Sequence, residues 1–170
     1  MMRTSLCRLL PALQFFSAIF MLWKGLSALT NSPYPAHVVI SDSMAPAFKR
    51  GDVIVLSNWE QEIRIGEIPV VWFSGNPLPM VHRAINTIWG TRSGGQEGEI
   101  EQLILTKGDN NEVDDVALYP SGQKYVYRSQ IIGVVRGYLP ILGWMTILLS
   151  EYPYLKFVLI GGLAFISMIS

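Results

Sequence analysis

A serine, a histidine and an aspartate in this chain have the residue types of a nucleophile, its base and the acid that orients the base. They follow one another as Ser43, His82 and Asp115. A serine hydroxyl attacks a carbonyl only when a base removes its proton, and a carboxylate on the second ring nitrogen fixes the tautomer of a histidine base. The other histidine, His37, is separated from Ser43 by an extended segment that spans up to about 20 Å. His82 is therefore the candidate base, and nucleophilic catalysis by Ser43 is the chemistry that these residue types could perform.

Each of these residues also has a structural interpretation when it is taken alone. Ser43 follows an apolar run in the segment Ser-Asp-Ser-Met, which is typical of a turn. His82 lies in the apolar run Met-Val-His-Arg, where a buried histidine is common. Asp115 ends a polar segment, Lys-Gly-Asp-Asn-Asn-Glu-Val-Asp-Asp, that reads as a tight loop. A calcium loop is a second interpretation of that segment, but the D-x-D-x-D-G spacing and terminal Glu of the motif are missing.

The composition excludes several other classes of function. Thirteen basic residues balance thirteen acidic ones, and no Lys/Arg run indicates a nucleic-acid surface. Two histidines and one cysteine, Cys7, leave few ligands for zinc, so we expect neither a metal nor another cofactor. The lone cysteine cannot form a disulfide within the chain.

An apolar run over residues 9–29 predicts a transmembrane anchor, preceded by a short N-terminus at 1–8. A spanning helix needs roughly 20 mainly apolar residues. Arg3 and Arg8 precede the run and place the N-terminus in the cytosol by the positive-inside rule, while Lys24 snorkels to an interface beside Trp23. A cleaved signal peptide is the alternative, although the run has a poor small-residue cleavage site.

Residues 33–138 predict a mainly β domain. Short β-branched stretches recur there between Gly, Pro, Asn and Asp, which is typical of an all-β fold and not of alternating βα units. The Gly-rich stretch Thr91–Glu99 predicts an exposed loop. The predicted strands are 37–40, 52–56, 68–73, 80–85, 101–106, 124–128 and 130–138.

The segment 139–170 is apolar again and predicts a membrane-proximal C-terminal helix. Its last stretch, 157–170, contains no charge but is short for a full span. An interfacial or partly inserted helix fits that length, and a helix packed on the domain core is the alternative.

Several separate motifs make the chain resemble the catalytic subunit of the endoplasmic-reticulum signal peptidase complex, in the eukaryotic and archaeal branch of type I signal peptidases. The resemblance runs from about Met21 to the last residues, leaving out the Thr91–Glu101 loop. The matching motifs are Trp23-Lys24-Gly25, Ser41-x-Ser43-Met44-x-Pro46-Ala47-Phe48-x-Arg50-Gly51-Asp52, Gly66-Glu67, Val81-His82-Arg83, Leu105-Thr106-Lys107-Gly108-Asp109-Asn110-Asn111, Asp115, Leu118-Tyr119 and Gly133-x-Val135-x-Gly137-Tyr138-x-Pro140.

The resemblance implies roles for five residues. Ser43 matches the nucleophile, His82 the histidine base, and Asp115 the catalytic aspartate. Asp109 matches a second important aspartate, and Ser41 matches a hydroxyl that helps to form the oxyanion hole in bacterial relatives. The implied fold is the small β-barrel-like signal-peptidase fold, on a single-pass type II anchor in the endoplasmic-reticulum membrane with the domain in the lumen.

The implied function is a serine endopeptidase that removes signal peptides from preproteins. Its implied partners are signal peptides, other subunits of a signal peptidase complex and membrane lipid, without nucleic acid. The family usually has glycine between the two serines, where this chain has Asp42, and glutamate after the methionine, where it has Ala45. Negative charge at Asp42 would oppose an oxyanion, so a weakly active or non-catalytic structural subunit is the alternative. A soluble self-cleaving repressor of the related Ser–Lys peptidase fold is a further alternative. The predicted membrane anchor argues against it, and so does His82, which stands where that fold has its lysine.

Overall fold

A computed structural model describes the backbone of residues 2–91, 100–158 and 161, with side chains from Leu10 onward. Along the described chain, helix α1 precedes eight strands and helix α2 follows them. Their bounds are α1 Met2–Thr30, β1 Ala36–Val38, β2 Val53–Ser57, β3 Pro69–Val71, β4 Met80–Val81, β5 Arg83–Thr91, β6 Ile100–Lys107, β7 Val126–Tyr127, β8 Ile131–Leu139 and α2 Trp144–Glu151.

The strands form two antiparallel sheets, and both sheets contribute to the first of two buried apolar clusters. The first sheet has the order β1-β2-β8-β3-β4, and the second has the order β5-β6-β7. One cluster centres on Val71, Ile104 and Val134, and the other includes Met44 and Ile54. This architecture confirms the mainly β fold class with an apolar N-terminal helix. Each of the seven stretches predicted as strands contains residues of an observed strand.

One predicted strand differs from the structure in a way that matters for the site. The stretch 80–85 was expected to be continuous, but it divides at His82 into β4 and β5. The two halves pair with different partners: Val81 lies opposite Val70 of β3, and Arg83 lies opposite Lys107 of β6. His82 therefore occupies the point where the chain passes from one sheet to the other. Most of the predicted Gly-rich loop, residues 92–99, lies outside the described residues.

Helix α1 has the properties of a membrane anchor and is tied to the β domain at its C-terminal end. The segment Leu10–Thr30 has a mean hydropathy of 1.4 and none of it is buried. The indole of Trp59 donates to the Leu29 carbonyl at 2.9 Å, and the Asn58 amide donates to the Thr30 carbonyl at 2.8 Å. These bonds fix the direction in which the helix leaves the domain.

The C-terminal helix α2 packs on the turn that closes the Ser43 loop. The Trp144 ring lies 5.6 Å from the Arg50 guanidinium, which also pairs with Glu151. The Gly143 amide donates to the Gly51 carbonyl at 2.8 Å. Ile147 is buried against the domain, while most apolar side chains of α2 stay exposed. Of the predicted apolar stretch 157–170, residues 159–160 and 162–170 lie outside the described residues.

Gly51 offers a test of how α2 is docked. Its φ is +95°, and a Cβ there would overlap the Trp144 ring, whereas Gly75, at φ +92°, has open space around it. Both Gly51→Ala and Gly75→Ala carry left-handed backbone strain of about 1–2 kcal/mol. We expect Gly51→Ala to lose about 1–3 kcal/mol more, because Trp144 must move. Thermal unfolding of the two full-length variants measures this difference, and equal melting temperatures would contradict the docking.

Candidate active site

His82 and Asp115 form a buried pair between the two sheets. His82 is 6% exposed and Asp115 is fully buried. Asp115 precedes the short 3-10 turn Val116–Leu118, and its amide donates to the Thr106 carbonyl of β6 at 3.0 Å. The aspartate is therefore placed by the second sheet, and the histidine by the crossover between the sheets.

The side chains of Ser43, His82 and Asp115 form a continuous hydrogen-bonded chain. His82 Nδ1 lies 2.7 Å from Asp115 Oδ2, and His82 Nε2 lies 3.0 Å from Ser43 Oγ. A carboxylate can only accept, so Nδ1 carries the proton of the neutral ring and Nε2 has a lone pair for the serine hydroxyl. This arrangement can take a proton from Ser43 while the carboxylate stabilises the resulting imidazolium.

The loop that carries Ser43 is anchored by burial on one side and by backbone bonds on the other. The side chains of Met44 and Phe48 are buried in the core cluster beside β2. The Asn110 amide donates to the Ser43 carbonyl at 2.9 Å, and the Asn110 side chain donates to the Asp42 carbonyl at 3.2 Å. Asn110 therefore links the Ser43 loop to the loop that follows β6 through two hydrogen bonds.

Gly108 permits the close approach of these two loops. A Cβ at this position would lie 2.7 Å from the Ser43 carbonyl oxygen and 2.6 Å from the Asn111 side chain. Real Cβ atoms do not come so close to backbone, so any larger residue would force the Ser43 backbone or the loop of Gly108 to shift. The Lys-Gly-Asp-Asn-Asn motif thus positions Ser43 through its backbone.

Ser41 and Asp42 differ in how their side chains relate to Ser43. The hydroxyl oxygens of Ser41 and Ser43 are 3.2 Å apart. Because Ser43 gives its one proton to His82, Ser41 is the donor in this pair. The Asp42 carboxylate is exposed and accepts a hydrogen bond from the Arg50 amide at 3.1 Å. It therefore closes the loop from 42 to 50.

Asp109 binds the residue next to the histidine. Its two carboxylate oxygens accept from Arg83 at 2.8 and 2.6 Å, and the same guanidinium donates to the Gly66 carbonyl at 2.8 Å. The carboxylate raises the pKa of Arg83 through this hydrogen bond and its charge. The structure thus brings the side chains of Ser43, His82, Asp115 and Ser41 into one series of hydrogen bonds. Asp109 lies outside this series and supports the backbone beside His82.

Two hydroxyls that residue patterns did not single out complete the surroundings of Asp115. Thr106 Oγ1 donates to Asp115 Oδ2 at 2.6 Å, and the Tyr119 hydroxyl lies 2.9 Å from Thr106 Oγ1. Both residues belong to motifs of the resemblance. Their convergence on the aspartate depends on how the chain folds after β6, so no spacing in the sequence could have indicated it.

A cleft of about 270 Å³ opens beside Ser43 and His82, lined mostly by apolar side chains. Its walls are residues 37–41, which include part of β1, and residues 78–82, which include β4. These two strands are the edges of the five-stranded sheet, and edge strands can pair with a further strand. Burial lowers the pKa of His37 in this wall, against a weaker opposing effect of its hydrogen bond to the Tyr34 backbone.

Comparison with curated proteins shows which proteins this chain is similar to. It is 45% identical to the signal peptidase complex catalytic subunit SEC11 of Paracoccidioides brasiliensis (strain Pb03), over 94% of this chain and 88% of the relative. It is 41% identical to the protein of the same name from Candida dubliniensis, over 99% and 97% of the two chains. The corresponding Ajellomyces dermatitidis protein is 48% identical over 85% of this chain and 81% of the relative. No family model matches the chain.

The anchored β domain, with a hydroxyl, an imidazole and a carboxylate in contact beside a cleft, has the layout of a membrane-bound hydrolase. Identity above 40% over nearly the whole chain is more specific. The chain belongs to the family of signal peptidase complex catalytic subunits.

Proposed function

We propose that this protein is a serine endopeptidase that removes N-terminal signal peptides from secretory and membrane preproteins. The observation that carries the proposal is the chain of contacts from Ser43 Oγ through His82 to Asp115. The relatives that support it are named catalytic subunits of the signal peptidase complex.

Ser43, His82 and Asp115 each have a defined step in the proposed reaction. Ser43 Oγ attacks the scissile carbonyl carbon while His82 Nε2 takes the hydroxyl proton. The carbon–nitrogen bond then breaks, and the imidazolium returns the proton to the leaving amine, which gives an acyl-enzyme on Ser43. A water molecule loses a proton to His82 and attacks the ester, and Ser43 regains its proton as the signal peptide is released. Asp115 stabilises the imidazolium in both halves.

Two further residues support these steps. Ser41 is proposed to donate its hydroxyl to the oxyanion, since it already lies within 3.2 Å of Ser43 Oγ. A donor of this kind contributes about 10²–10³-fold to kcat in other serine peptidases. Asp109 is proposed to hold Arg83, and with it the backbone beside His82, through two charge-assisted hydrogen bonds.

The cleft fits an extended peptide as the substrate. A peptide bound between the β1 and β4 edges can pair with their backbone as an added strand. The resemblance implies cleavage after small residues at P1 and P3, and the apolar walls, which include Met44 and Phe48, can contact such side chains. The peptide bond after P1 would then lie beside Ser43.

The same reasoning supports a location and a set of partners. We place α1 across the endoplasmic-reticulum membrane, with the N-terminus in the cytosol and the β domain in the lumen. The exposed apolar surface of α1 contacts lipid. The relatives' name makes other subunits of a signal peptidase complex the expected protein partners.

Replacing Ser43 tests the proposed nucleophile. In the assembled, membrane-bound complex we expect Ser43→Ala to lower kcat for preprotein cleavage by about 10⁶-fold, as loss of the serine does in other Ser–His–Asp peptidases. Ser121→Ala is the matched control, because Ser121 is exposed in a turn that does not line the cleft. Undiminished cleavage by Ser43→Ala would disprove the assignment.

The proposed base predicts a pH dependence. His82 Nε2 must keep its lone pair to accept the Ser43 proton, so kcat should fall on the acid side as histidine is protonated. The measurement is single-turnover cleavage across the acid range, with the melting temperature followed in parallel. A rate that stays constant down to about pH 4 would contradict a histidine base.

A non-catalytic or weakly active structural subunit is the alternative, and the contacts of the triad do not favour it. The Asp42 carboxylate is engaged by the Arg50 amide, and the Ser43–His82 contact is intact beside it. We expect wild-type cleavage, with Asp42→Asn faster than wild type because its charge no longer opposes the oxyanion. Asp42→Gly also removes the acceptor of the Arg50 amide. The structural role would be favoured if the wild type and both variants, Asp42→Asn and Asp42→Gly, are inactive in preprotein cleavage.

A further inference from the structure

A closed set of hydrogen bonds lies behind Asp115, on the side away from the cleft. It joins the Tyr119 hydroxyl to both the backbone and the side chain of Thr106, and Thr106 to the aspartate. We propose that Tyr119 and Thr106 are positioning residues, which fix the Asp115 carboxylate and thereby hold His82 in the Nδ1–H tautomer. This inference rests on the proposed function, because that tautomer matters only if His82 acts as a base.

The direction of each proton in this set follows from the donors available. The Thr106 amide donates to the Tyr119 hydroxyl oxygen at 2.9 Å, so the tyrosine accepts there. Its own proton is then free for Thr106 Oγ1, at 2.9 Å. Thr106 Oγ1 has one proton, and Asp115 Oδ2 accepts it at 2.6 Å. Each donor is used once, and all of them point towards the carboxylate, which strengthens successive bonds.

Asp115 needs such support because, among the described residues, its only other side-chain donor is His82. Its side chain is fully buried, and Oδ1 has no hydrogen-bond partner among the described residues. Both of its side-chain donors, His82 Nδ1 and Thr106 Oγ1, meet at Oδ2. Without Thr106, the imidazole alone would define which oxygen faces the ring. A poorly oriented carboxylate no longer favours the His82 tautomer that leaves Nε2 free to accept the Ser43 proton.

Tyr119 is suited to be the outer end of this set. Its hydroxyl must remain protonated to donate, and burial raises the pKa of Tyr119 above its ordinary value, against a weaker opposing effect of its hydrogen bonds with Thr106. Its ring packs 5.8 Å from Phe73 in the core, which holds the hydroxyl in place. Thr106 itself is fully buried on β6.

A pair of substitutions at Thr106 separates the hydroxyl from the rest of the side chain. Thr106→Val keeps the branched shape and removes the donor, so we expect kcat to fall about tenfold or more with KM unchanged, since Thr106 does not line the cleft. Thr106→Ser keeps the donor and should stay within about threefold of wild type. Tyr119→Phe leaves the Thr106 hydroxyl able to donate but removes the hydrogen bond that orients it. We expect a loss of kcat between those of the two Thr106 variants.

The tautomer of His82 provides a readout that does not depend on activity. The chain has two histidines, so nitrogen-15 spectra of full-length protein labelled at histidine contain two rings, and His37→Val assigns them. The spectra are recorded at a pH where imidazole is neutral. We expect the Nδ1–H form in wild type and Thr106→Ser, and a gain of the Nε2–H form in Thr106→Val and Tyr119→Phe. The neighbouring charges, namely Asp42, Asp114, Lys107 and the Arg83–Asp109 pair, are the same in all of these proteins.

The two readouts distinguish failure of this inference from failure of the proposed function. If Thr106→Val or Tyr119→Phe keeps the wild-type tautomer, the positioning role is wrong, whatever happens to the rate. If the tautomer changes as expected while wild type fails to cleave a preprotein, the positioning role stands and the peptidase proposal is wrong. Should Thr106→Val not fold, Tyr119→Phe decides between these outcomes, because it leaves the β6 side chains unchanged.

Discussion

The buried hydrogen bond between His82 and Asp115 is the constraint around which the rest of the domain is arranged. A carboxylate removed from water is costly unless donors surround it, and this one is fully buried. The crossover between the sheets supplies the imidazole, and β6 supplies the Thr106 hydroxyl at 2.6 Å. The carboxylate therefore takes its side-chain donors from the crossover and from the second sheet.

Ser43 completes this arrangement from a separate part of the chain. Met44 and Phe48 anchor its loop in one core cluster, and Asn110 clips the loop to the segment after β6. Asp52 closes the same loop, because its carboxylate accepts from the Lys49 amide and from the Ile141 amide at the start of the C-terminal segment. Helix α2 is thus connected to the loop that carries Ser43. A serine held on both sides can keep its 3.0 Å contact with His82 without strong local secondary structure.

Local patterns in the chain predicted much of the fold because they reflect local physics. Alternating β-branched residues fit a pleated, half-buried sheet, and all seven predicted stretches contain observed strand residues. The long apolar run became a helix with an exposed apolar surface. The prediction was wrong within 80–85, where one strand became two. Strand pairing decides that division, since Val81 and Arg83 bond to different sheets, and a period-two pattern contains no information about the partner strand.

The sequence by itself determined the residue types, their order and the motifs around them, which was enough to identify the family and to nominate Ser43, His82 and Asp115. Only the tertiary structure decided which polar groups share the site. It turned the Asp42 carboxylate to the Arg50 amide, paired Asp109 with Arg83, and brought Thr106 and Tyr119 behind Asp115. The physical reason is that hydrogen bonds act over about 3 Å, and residues far apart in the chain reach that distance only after the sheets have packed.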